Sequence, residues 1–152
     1  MNNTLSDSQP QIKAEQSKRT SLRIAAGMFF LSAITNLIGV IFYAASNGWQ
    51  NLGNESVVIL VINMLIGVVL LLGSARYALG WAFIFVLYGI YQLISGNSYA
   101  FILDIAFSSS LILLLIGKPS KARMITAVAV FVVVYLGLTC LGFTSYFILG
   151  VR

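Results

Sequence analysis

Along this chain polar and apolar residues come in blocks instead of alternating. A polar segment over residues 1 to 22 precedes five long apolar runs, at about 24 to 46, 56 to 73, 77 to 95, 99 to 116 and 124 to 149. Stretches of about 17 to 25 apolar residues are long enough to cross a hydrocarbon core of roughly 30 Å as helices. The pattern predicts an all-α integral membrane protein, with a bundle of about five transmembrane helices occupying residues 23 to 152. The connections "NGWQNLGNE", "SAR", "GNS" and "GKPSKAR" are short, and each carries Gly, Asn, Ser or Pro, which release or satisfy backbone groups at helix ends. Tight antiparallel hairpins follow.

The leading block, "MNNTLSDSQPQIKAEQSKRTSL", holds one of the two prolines and too little apolar surface to offset the entropy of ordering it. It is expected to be a disordered cytoplasmic tail, residues 1 to 22. The first apolar run begins after basic residues, and "AAS" at 44 to 46 imitates a cleavage site. Its length exceeds the roughly 7 to 15 residues of a signal-peptide core, so it is expected to stay in the protein as a helix.

Charge adds direction. The 152 residues include nine Lys and Arg and four Asp and Glu, a net charge of +5, and only 9% are charged against roughly 25% in soluble domains. Mean hydropathy is +0.95. Lys13, Lys18, Arg19, Arg23, Arg76, Lys118, Lys121 and Arg123 all fall before the first run or in alternate turns, leaving only Arg152 on the other side. The positive-inside rule then places the N-terminus inside and the C-terminus outside, in the plasma (inner) membrane. If residues 77 to 116 held a single span, there would be four spans and the C-terminus would be inside. Tyr43, Trp49, Tyr91, Tyr99 and Tyr146 near outer run ends, and Tyr77 and Trp81 near an inner one, match the headgroup preference of amphipathic rings.

Basic residues confined to helix ends offer no solvated face for neutralising phosphates, so nucleic acid is not an expected partner. The lipid bilayer is. Arg76, Lys118, Lys121 and Arg123 are candidate lipid-facing cations, each attracted to an anionic surface by about 1 kcal/mol.

Candidate chemistry is sparse. There is no histidine and one cysteine, Cys140, which removes imidazole metal sites, Ser-His and Cys-His catalysis and any intramolecular disulfide. No catalytic residue, metal site or cofactor is assigned, and no enzymatic activity is expected. Gly73 and Gly117 end helices and lack the Gly and Lys-Ser/Thr spacing of a phosphate loop. What remains is a candidate polar site within the apolar runs, Asp104, Asn63, Asn36 and Ser108. Asp104 lies roughly 7 to 8 Å below the outer end of its helix, Asn63 about 10 Å and Asn36 about 15 Å. Ser108 stands one turn from Asp104 on the same face.

Small residues at helical spacing, Ser32, Thr35 and Gly39, then Ala78 and Ala82, then Ala106 and Ser110, make packing seams. Arg76, Ala82 and Tyr88 also recur in spacing at Arg123, Ala129 and Tyr135, hinting at a repeated hairpin. These features point to a protein that works by helix association, with itself as a homo-oligomer or with another membrane protein. The alternative is a small transporter or channel subunit whose polar site surrounds Asp104.

Overall fold

The computed structural model describes residues 8–49 and 54–149, and these contain helices and turns but no strand. Five helical rods follow one another: α1 (Ser8–Asn47), α2 (Asn54–Leu71), α3 (Arg76–Ile94), α4 (Ser98–Leu115) and α5, which runs through Lys121–Ala129, Val130–Leu136 and Gly137–Leu149. Four of them, α1, α3, α4 and α5, are long and apolar enough to cross a membrane, while the apolar part of α2, Val57–Leu71, is shorter.

The expected tail needs correction. Residues 8 to 22 are helical and continuous with the first apolar run, and residues 1–7 lie outside the described residues. Helix nucleation is costly and propagation is not, so a formed apolar helix extends cheaply into a neighbouring stretch of Gln, Lys, Ala and Glu. Glu15 and Arg19 pair across one turn at 2.8 Å, and Pro10 falls in the first turn, where a missing N–H loses no intrahelical bond.

Most large aliphatic side chains face outward, while a few, Leu22, Ile66, Leu70, Leu111 and Leu114, join the small residues inside. Leu72 and Ile94 are each 81% exposed, whereas Ala25, Ala26, Ala33, Ala78, Ala82, Ala106 and Ala127 are buried. Outward Leu beside close-packed Ala is compatible with a membrane protein, since lipid would give Leu no reason to leave the surface and backbones approach closely only where side chains are small. Helix α4 is central: it packs along α3 and α5 and touches α1, while α1 packs chiefly on α2. Phe107 of α4 is the hub, with its ring 5.1 Å from Phe29, 5.6 Å from Phe85, 6.0 Å from Phe131 and 5.3 Å from Tyr135.

Helix α5 reaches that hub through an unusual winding. Over Val130–Leu136 the hydrogen bonds run five residues back, as from Gly137 N–H to Val132 O. In an α-helix each step of four residues drifts by about 40°, so positions four apart still share a face but positions eight apart have drifted by about 80°. The looser π winding holds Ala127, Phe131 and Tyr135 inward together, and the last two rings stack at 5.1 Å and 14°.

Each described turn contains a glycine at positive φ: Gly48, Gly73, Gly96 and Gly117. At the end of α2, Gly73 N–H donates to Leu70 O and Ser74 N–H to Val69 O, a helix stop that needs the left-handed φ of +95°. Entry into α4 and α5 is capped by Asn97, which accepts from Ala100 N–H, and Ser120, which accepts from Arg123 N–H.

The two ends of the bundle differ. At one end Lys18, Arg19 and Arg23 of α1 line hollows shared with the α2–α3 and α4–α5 turns. At the other, Phe42, Tyr43, Tyr99 and Phe143 surround a groove of about 340 Å³ between α1, α4 and α5. The two hairpins that share a spacing do not share an environment: Ala82 is buried and Ala129 exposed, and Tyr88 stacks outward on Tyr91 while Tyr135 faces the core.

Candidate functional site

The interior polar groups form a connected line across four helices. Trp81 Nε1 on α3 donates to Asn63 Oδ1 on α2 at 3.2 Å, and Asn63 Nδ2 donates to Ser32 Oγ on α1 at 3.4 Å. Ser32 and Tyr135 of α5 then share a hydroxyl hydrogen bond of 2.8 Å. Asn63 is fully buried, and Thr35 secures the same turn of α1 by donating to Ser32 O at 2.9 Å.

Of the expected polar site, Asn63 belongs to this line and Asn36 does not. Asn36 is half-buried and makes no side-chain hydrogen bond among the described residues. Asp104 and Ser108 lie on α4, one turn apart, with Asp104 within electrostatic reach of the Tyr135 hydroxyl. Asp104 packs against α3 where that helix has no side chain; a Cβ on Gly89 would lie 3.2 Å from the Asp104 Cβ. Ser108 is 1% exposed, and neither its Oγ nor Asp104 Oδ2 has a hydrogen-bond partner among the described residues. The next serines behave differently, since Ser109 and Ser110 both return their hydroxyls to Ala106 O.

Chemically the two groups are unlike. Trp81, Asn63, Ser32 and Tyr135 use their polar atoms on one another, and such interhelical bonds fasten helices by about 0.6 to 1.7 kcal/mol each. Asp104 and Ser108 keep unused capacity to bind a proton, a water or a small cation. Among the described residues no three His, Cys, Asp or Glu side chains gather into a metal-ligand set.

Sequence reasoning missed Trp81, Ser32 and Tyr135 as members of this line. Trp81 passes for an interfacial ring, because position along a helix does not reveal which way an indole points. Tyr135 carried a usable signal: it lies mid-run, too deep for a headgroup ring, and a hydroxyl at that depth needs a partner. Ser32 was visible only as a small residue. Among the basic candidates, Arg76, Lys118 and Lys121 are exposed, but Arg123 is half-buried and its guanidinium donates to Lys118 O at 3.3 Å, bracing the α4–α5 turn.

Comparison of the chain with protein-family models, with curated proteins and with solved structures finds no match.

Proposed function

We propose that this chain is an integral membrane protein of five spans, N-terminus inside and C-terminus outside, that acts without catalysis by associating with a second copy or with another membrane protein. The reading rests on one observation above all. The interior polar side chains of α1, α2, α3 and α5 are spent on each other beside the Phe107 ring cluster. An interior committed to holding helices together leaves the outer surface as the part free to act. That surface is broad and apolar, with an open groove of about 440 Å³ along Ile24, Met124, Ile125, Val128, Val132 and Val133. Purification in mild detergent with mass determination tests this reading; a discrete oligomer or a stoichiometric membrane partner is expected. A strictly monomeric species with nothing co-purifying overturns it.

A second reading is favoured by the two unpartnered atoms on α4. On this reading Asp104 Oδ2 and Ser108 Oγ, one turn apart on α4 and without hydrogen-bond partners among the described residues, would serve a proton or small cation, in keeping with the general use of intramembrane acids. In proteoliposomes this reading expects an ion-dependent flux that Asp104→Asn abolishes. Equal flux through both proteins removes it.

A further inference from the structure

We propose that the hollow between α1 and the end of α2 is a binding site for the headgroup of an anionic phospholipid. Its walls are Arg19 and Arg23 on one side and Leu70, Leu71, Leu72 and Gly73 on the other, enclosing about 330 Å³, with Leu22 beneath. Arg19 and Arg23 are four residues apart, so their guanidinium groups lie on one face of α1, in the arrangement that suits forked recognition of phosphate oxygens. Arginine fits this role better than lysine because its planar donors are already fixed relative to each other. Among the described residues Arg19 is held only by Glu15, in an ion pair with both side chains more than half exposed. Such pairs are weak, and a phosphate can displace the carboxylate. Arg23 makes no ion pair among the described residues.

The opposite wall suits the rest of a lipid. Leu71 and Leu72 are 57% and 81% exposed at the last turn of α2, directly beside the guanidinium groups. Cations next to uncovered leucines match a molecule that is anionic at one end and aliphatic below it. The charge around the hollow points the same way: Lys18 is on the adjacent face of α1, Arg76 opens α3 just past Gly73, and Glu15 is the one acid nearby among the described residues. A soluble phosphate would have no use for the leucine wall, and an acidic protein would need a wider solvated surface.

The test uses the full chain in detergent, titrated with phosphatidylglycerol or phosphatidylcholine and read by native mass spectrometry. Preferential retention of phosphatidylglycerol is expected. Arg19→Gln with Arg23→Gln should reduce it about tenfold, to the level of phosphatidylcholine. Lys13→Gln removes one charge from the same helix outside the hollow and should leave retention within twofold. Arg23→Gln alone, which leaves the Glu15–Arg19 pair intact, should already lose most of the preference. Equal retention of the two lipids by the unaltered protein would overturn the proposal. So would equal losses in Lys13→Gln and Arg23→Gln, since diffuse attraction would then account for the binding. Displacement by inorganic phosphate alone would overturn the lipid as ligand.

Discussion

Asn63 ties three helices through one amide, accepting from Trp81 and donating to Ser32. Replacing it with Leu leaves an indole N–H without its acceptor, and Asn63→Leu is expected to cost about 1 to 2 kcal/mol in denaturant unfolding from mixed micelles. Tyr135→Phe deletes a single bond and should cost about 0.6 kcal/mol; no loss in either variant would make the line of bonds incidental. Phe107→Ala removes the ring that four others touch, and by analogy with buried cores should cost about 3 kcal/mol in the same assay. In lipid the loss comes from vacated contacts, so refilling with Leu should recover most of it. At this scale the sequence was a partial guide. It marked Asn63 as a polar residue to explain, but side-chain direction decides partners, and direction depends on neighbours about 60 to 100 Å away along an extended chain yet adjacent once folded.

Helix boundaries were far more legible. Runs inferred at 56 to 73, 77 to 95 and 99 to 116 became Asn54–Leu71, Arg76–Ile94 and Ser98–Leu115, because apolar length and Gly-containing turns are local properties. The missed segment was residues 8 to 22, where composition argued for disorder and helix propagation from a long neighbour prevailed. The π winding of α5 was equally invisible, since valine-rich sequence is apolar under either winding. Turns supply the sharpest test at this scale. Gly73 and Gly80 both have open space where a Cβ would go, but only Gly73 sits at positive φ, +95°. Gly73→Ala should therefore destabilise by about 1 to 2 kcal/mol, while Gly80→Ala, within α3, should be neutral or stabilise by up to about 1 kcal/mol. Thermal unfolding of the pair checks this, and equal effects would remove the argument from backbone conformation.

For the whole molecule, the gathering of cations at one end is what the linear sequence conveyed best. Alternate turns carry the charges, and antiparallel hairpins bring alternate turns together. The proposed orientation expects a reporter fused at Arg152 to be active only outside, and one fused at Met1 only inside; an inside signal at Arg152 would favour four spans. What the sequence did not convey was the order of neighbours. Nothing in the runs themselves makes α4 central, because its selection depends on Ala106, Phe107, Ser108, Ser110, Leu111 and Leu114 being covered on several sides at once.

The length of α1 has a mechanical consequence. Its 40 residues make a rod of about 60 Å, twice the roughly 30 Å that a hydrocarbon core accommodates. From Arg23 to Ser8 the rod continues for about 22 Å, so under the five-span reading it is a lever with its fulcrum at the headgroups. A tilt of about 20°, ordinary for a membrane helix, would sweep the tip sideways by about 8 Å. Repacking at Ala25, Ala26 or Phe29 would thus be felt as a displacement of Lys13, far from any change in contact. Distance measurements from a spin label at Gln11 to one at Ser120 would register that swing, and a fixed distance across variants of Phe29 would show the arm to be uncoupled.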